Sequence, residues 1–94
     1  MNILELNALR LKMIKEYKEE LNDLVKPYGY RVMQQYSRIV DNVAISIEDE
    51  LIIEIESKHS NKKATLIGLT EIKSDLNDDI FYGLKIIQNK YRDL

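Results

Sequence analysis

The 94-residue chain has no cysteine and no tryptophan, one phenylalanine, one proline, one histidine and three glycines. Without cysteine there is no disulfide framework, no thiolate nucleophile and no sulfur ligand for a metal. A single histidine also removes the zinc and copper designs that recruit several imidazoles. Three glycines are too few for a phosphate-cradling loop, so a standard nucleotide site is excluded and no cofactor is expected. No apolar run approaches 18 residues, and no basic segment followed by an apolar stretch opens the chain. Neither a transmembrane span nor a secretory signal is therefore expected, and the expected location is the cytoplasm. Charge of one sign is scarce as well. Fourteen basic residues face 16 acidic ones for a net charge of −2, which exerts no overall pull on nucleic acid or membrane.

Apolar material is plentiful by comparison. Ile, Leu, Val and Phe number 30, enough to exclude a disordered chain. A domain of this length hides about 60–65% of its unfolded surface, so its core is real but modest. Ile, Asn, Lys and Tyr total 36 while Ala, Gly, Pro and Arg total 11, the bias of AT-rich coding. The expected source is an AT-rich bacterium, or a phage or mobile element living in one.

Residues 3–25 are expected to form one long helix. Leu6, Leu9, Met13, Tyr17, Leu21 and Leu24 recur at spacings of three and four along one arc, with Lys12, Lys15, Glu16, Glu19 and Asp23 mainly opposite. Pro27 disfavours helical geometry at Lys26, so the helix stops near Val25 and Pro27-Tyr28-Gly29 turns the chain. The apolar arc is wider than one sheet contact needs. Leu4, Leu11, Ile14 and Val25 lie to one side of it and are expected to form an interface, for a homodimer or for a partner protein.

From Tyr30 the period changes to two. Tyr30–Arg38 forms a first strand. Val43, Ile45 and Ile47 alternate with polar residues, as do Leu51, Ile53 and Ile55, predicting a hairpin turned at Asp49-Glu50 with Glu54, Glu56 and Lys58 on its solvated face. His59–Lys63 reads as a polar loop and Ala64–Ile72 as a fourth strand, weakened by Gly68. Helical spacing returns with Ile80, Leu84, Ile87, Tyr91 and Leu94, capped by Ser74, Asp75 or Asn77, with Asp78 and Asp79 at the positive end of the helix dipole. The glycine at 83 inside this helix costs about 1 kcal/mol relative to alanine, which points to close packing there. Residues 1–94 thus read as a single α+β domain. An antiparallel β-meander of three to four strands is flanked by a long N-terminal helix and a C-terminal helix, in the order α-β-β-β-β-α. Both helices are expected on one sheet face, burying Leu9, Met13, Tyr17, Ile45, Ile47, Ile53, Ile55, Ile80, Leu84 and Ile87.

Chemistry has few places to sit. His59 stands among lysines, with neither an orienting carboxylate nor a nucleophile beside it in sequence. Asp75, Asn77, Asp78 and Asp79 lack the glycine and the distal glutamate of a calcium-binding hand, and helix capping accounts for them. Asp41 with Glu56-Ser57-Lys58 resembles the Asp…Glu-x-Lys signature of the PD-(D/E)xK nucleases. That resemblance implies Asp41 and Glu56 as magnesium ligands, Lys58 as the water-orienting group, and Glu16 or Glu20 as a supporting ligand. Alternation alone places Glu56 and Lys58 on the solvated face of the sheet, and that is the expectation adopted: no metal site and no enzyme. Lys58, Lys62 and Lys63 form the one candidate surface for nucleic acid, with Arg31, Arg38 and the tyrosines in support. The order of elements is similar to double-stranded-RNA-binding domains, but Asp75, Asp78 and Asp79 occupy the place where those domains carry basic residues.

The features that remain concern surfaces: a broad apolar helix, a sheet with one polar face and six tyrosines. The expected function is a small, non-enzymatic protein-interaction module acting on a host or cognate protein. In size and style the chain resembles phage and mobile-element products that block a host enzyme or defence complex, such as anti-CRISPR proteins, antitoxins and immunity proteins.

Overall fold

Asn2 starts the first helix in the computed structural model, which describes residues 2–36 and 51–94. Its side-chain oxygen accepts the Glu5 N–H at 2.8 Å, relieving one of the donors that a helix N-terminus leaves open. Helix α1 then runs Ile3–Val25. A single 3-10 turn, Lys26–Tyr28, follows, with Pro27 where no N–H is missed and Gly29 at φ 84°. This left-handed glycine reverses the chain, and the Tyr30 N–H returns to the Val25 carbonyl at 3.2 Å.

Among the described residues four strands follow: β1 (Arg31–Tyr36), β2 (Ile52–Ser57), β3 (Ser60–Ile67) and β4 (Glu71–Ser74). They lie in that order in one sheet, every neighbouring pair antiparallel. Helix α2 (Asp78–Arg92) closes the chain, capped by Asn77, whose side chain accepts the Ile80 N–H at 3.1 Å. The arrangement is the expected one: α+β, with an antiparallel meander between two helices.

The strands are cut differently from expectation. The expected hairpin partner at 43–47, with Ile45, Ile47, Asp41 and the turn at Asp49-Glu50, lies outside the described residues. Among the described ones β2 is central, flanked by β1 and β3. Of the residues expected to loop at 59–63, His59 does turn, whereas Ser60–Lys63 belong to β3. Lys58-His59 makes a tight turn, and pairing resumes at Ser57↔Ser60 and Glu56↔Lys63, with Asn61 and Lys62 bulged between. Gly68 does more than weaken a strand. At φ 56° it ends β3, donates its N–H to the Leu51 carbonyl at 2.7 Å, and turns the chain into β4.

Alternation sorts the sheet into two faces. Ile53 and Ile55 of β2 and Ala64 and Leu66 of β3 are buried, joined by partly buried Val32 and Ile72. In register, Glu54 stands opposite Gln34 and Thr65, and Glu56 opposite Arg31 and Lys63, on the other face. The strand register expected for Ile53 and Ile55 therefore holds. Both helices contribute to the same core as these inward residues: α1 with Ile14, Tyr17, Leu21 and Val25, and α2 with Ile80, Leu84, Gln88 and Tyr91.

The two helices run antiparallel where they touch. Gly83 lets Leu24 in so closely that a Cβ at 83 would sit 2.8 Å and 2.9 Å from its two methyl groups. Further along, the Tyr17 and Tyr91 rings meet at 5.1 Å between centroids, and Lys90 Nζ reaches Glu20 Oε1 at 2.6 Å. Of the core residues expected on the helices, Leu9 is exposed, while Met13 and Ile87 are only partly buried. Buried Gln88 takes the central position expected of Ile87.

Candidate functional site

Two candidate surfaces emerge, and the first corrects the expected helix interface. Of its four residues, Ile14 and Val25 are 2% and 0% exposed and belong to the core, whereas Leu4 and Leu11 are 77% and 51% exposed. Burial inside the protomer removes Ile14 and Val25 from any interface. The reason is rotational. The core takes Tyr17 and Leu21 from the main arc and Ile14 and Val25 from its neighbour, so the buried stripe runs along the seam between the two arcs.

One end of α1 is apolar on the outside as a result. Leu4, Leu6, Leu9 and Leu11 are all exposed, although polar Asn7 and Arg10 are about nine-tenths buried. These leucines precede the stretch, Tyr17 to Leu24, where α1 meets α2. Among the described residues, Asn7 Oδ1 and the three guanidinium nitrogens of Arg10 have no hydrogen-bond partner. The local sequence thus inverts the usual rule, apolar outward and polar inward.

Between the helices lies a polar layer that hydropathy patterns do not reveal. Gln88 is 0% exposed, and its Nε2 donates to the Glu71 carbonyl at 3.0 Å, tying α2 to the start of β4. Among the described residues Gln88 Oε1 and the Tyr17 hydroxyl are both buried without a completed hydrogen bond. Burial raises the Tyr17 phenol well above its usual pKa, an effect its Gln88 neighbour partly offsets. Tyr91 is raised too, first by burial and then by its hydrogen bond with Glu20, with Glu16 and Glu19 adding negative potential. Glu20 is held below the ordinary carboxylate range by hydrogen bonds from Lys90 and then Tyr91. A cleft of about 300 Å³ runs over this layer, lined by Glu16, Glu19, Glu20, Asp23, Lys90 and Tyr91.

The second surface is the β2–β3 turn. Arg31, Ser57, Lys58 and His59 meet Gly29 around a notch of about 190 Å³. The Ser57 hydroxyl accepts the His59 N–H at 3.1 Å and the Ser60 hydroxyl accepts the Lys62 N–H at 3.0 Å, which fixes the turn. Lys62 and Lys63 follow at once, so the three candidate lysines Lys58, Lys62 and Lys63 gather at one end of the sheet.

The nuclease-like constellation is not brought together among the described residues. Asp41 lies outside them. Glu56 stands on the open face of the sheet between Arg31 and Lys63, while Glu20, on the helical side, is bound to Lys90. The sheet separates Glu56 from the first-helix glutamates that the resemblance would enlist. No group of three His, Asp or Glu side chains among the described residues is placed to hold a metal ion. No helix among them is long and apolar enough to cross a membrane. No family model, no curated protein and no solved structure matches the chain.

Proposed function

We propose that this protein is a non-catalytic protein-interaction module, and that the N-terminal half of α1 is its contact surface. The exposed leucines at 4, 6, 9 and 11 carry this reading. Full burial of one leucine is worth about 1.5–3 kcal/mol, so four that stand roughly half exposed forgo about 3–6 kcal/mol in water. Only part of that returns as affinity, yet it is enough to drive association when shape and charge agree. Two occupants fit, a second copy in a homodimer and a host or cognate protein. An inhibitor or adaptor of phage or mobile-element type, working in the cytoplasm in the manner of anti-CRISPR proteins, antitoxins or immunity proteins, is the biological setting that size and composition favour.

The test separates surface from core. Leu4→Glu/Leu11→Glu should keep the wild-type circular dichroism and urea midpoint, yet abolish self-association in light scattering and partner capture from the source lysate. Ile14→Glu should instead unfold the chain, because it places a carboxylate in the core. A wild type that is monomeric and captures the same proteins as the leucine variant would end this reading.

A further inference from the structure

The sign of charge at the β2–β3 turn differs from that of the rest of the molecule. The net charge is −2, and the cleft between the helices is lined by four carboxylates against one lysine. In the groove beside α1, Lys15 and Lys18 are answered by Glu19 and Asp23. The notch at the turn holds Arg31 and Lys58, and no carboxylate is among its lining residues.

Cross-strand register extends this cationic end. Arg31 and Lys63 flank Glu56 on neighbouring strands, two cations to one anion, and Lys62 stands in the bulge beside them. Among the described residues none of Arg31, Lys58, Lys62 and Lys63 is held in an ion pair. Arg31 Nε donates to Met33 Sδ at 2.9 Å, which leaves both terminal nitrogens of the guanidinium for an outside acceptor. The wall formed by Gly29 is open, since a Cβ there would meet nothing within 4 Å. An incoming oxyanion can approach the backbone at that point. Beside it Tyr28 is half exposed and unpaired with any other ring among the described residues.

Cations spaced along one edge, unpaired among the described residues, with Tyr28 next in the chain to Gly29 of the notch, match one ligand chemistry. Single-stranded nucleic acid presents phosphates in series and bases free to stack. We infer that this end of the sheet binds the backbone of single-stranded nucleic acid. Arg31 and Lys58 hold one phosphate in the notch, Lys62 and Lys63 meet its neighbours, and Tyr28 stacks under a base. This surface is separate from the leucines of α1, so it adds a second binding activity to the one proposed above.

Fluorescence anisotropy with a labelled 15-mer of deoxythymidine and the whole chain tests it. Three phosphates held in this way predict a log K against log salt slope of about −2 for a single strand. Lys63→Ala should flatten that slope by about 0.7, and Lys58→Ala, which leaves Arg31 on the same phosphate, should weaken binding while flattening it by less. Tyr28→Ala should weaken binding by about fivefold or more and leave the slope unchanged, because stacking releases no counterion. Lys12→Ala and Lys15→Ala, on α1, should change neither quantity. All these side chains are exposed, so each variant is expected to keep the wild-type urea midpoint. Absence of binding at low salt, or binding that the Lys58 and Lys63 variants retain in full, overturns the proposal. So does equal affinity for a duplex of the same length with no effect of Tyr28→Ala.

Discussion

Helix packing at Gly83 makes a prediction in which two effects of similar size oppose each other. In a helix interior, glycine to alanine gains about 1 kcal/mol from reduced backbone freedom. At this position the new methyl would stand 2.8 Å and 2.9 Å from Leu24 Cδ2 and Cδ1, against ordinary carbon contacts of about 3.5–4.0 Å. Leu24 must withdraw by roughly 0.7 Å or turn off its rotamer, at about 0.5–1.5 kcal/mol. Being only partly buried, it has somewhere to go. Gly83→Ala alone should therefore change stability by no more than about 0.5 kcal/mol in either direction. In a Leu24→Ala background the obstruction is gone, and the same substitution should gain the full value of about 1 kcal/mol. Leu24→Ala by itself should cost about 1–2 kcal/mol, below the roughly 2–5 kcal/mol of fully buried leucines, because Leu24 is only partly buried. Urea unfolding followed by circular dichroism resolves this. With a slope near 1 kcal/mol per molar urea, a change of 1 kcal/mol moves the midpoint by about 1 M. Equal gains from Gly83→Ala in both backgrounds would show that Leu24 does not set the identity of residue 83.

Two further outcomes concern the polar layer. The phenols of Tyr17 and Tyr91 are raised in the folded state, so their contribution is complete below the unfolded tyrosine value near 10 and is lost as pH climbs above it. Stability should fall from about pH 10 upward, by up to about 1.4 kcal/mol per pH unit for each tyrosine, and Tyr17→Phe or Tyr91→Phe should remove one share of that slope in pH-dependent urea titrations. Gln88→Leu keeps most of the volume but orphans the Glu71 carbonyl, so it should cost about 1–3 kcal/mol, and Gln88→Ala should cost more because it adds a cavity; a Gln88→Leu protein as stable as wild type would refute the importance of this tie.

The helices were readable because their punctuation is local. Pro27 marks the end of α1 and Asn77 the start of α2, through φ restriction and a cap that depend on near neighbours alone. Alternation in 51–57 gave the face of Ile53 and Ile55 for the same reason. Errors arose where distant partners decide. Ser60–Lys63 has poor strand character and becomes part of β3 because β2 offers it hydrogen bonds, an influence from another segment. On α1, apolar residues cover more than one arc, so Leu9 was expected in the core and Ile14 and Val25 at an interface, the reverse of their burial. The choice fell to the helix rotation that sets Leu24 against Gly83 and Tyr17 against Tyr91, which required knowing how α2 lies. Gln88 was missed because hydropathy places a glutamine outside, and only its distance to the Glu71 carbonyl shows why it is inside. The basic turn was half visible: Lys58, Lys62 and Lys63 adjoin in sequence, whereas Arg31 and Gly29 reach the notch only through the β1–β2 pairing.

Among the described residues the two outermost strands of the sheet offer another chain little to pair with. On one side β4 is four residues long and carries Glu71 and Lys73, and on the other β1 loses register at Met33, where an extra residue interrupts the ladder. Short length, charge and a bulge are the devices that keep an open strand from recruiting a stranger. Concentrated folded protein should accordingly resist growth into cross-β fibres through its native margins. A contact between two folded copies is then more readily made by side chains than by joining their sheets edge to edge.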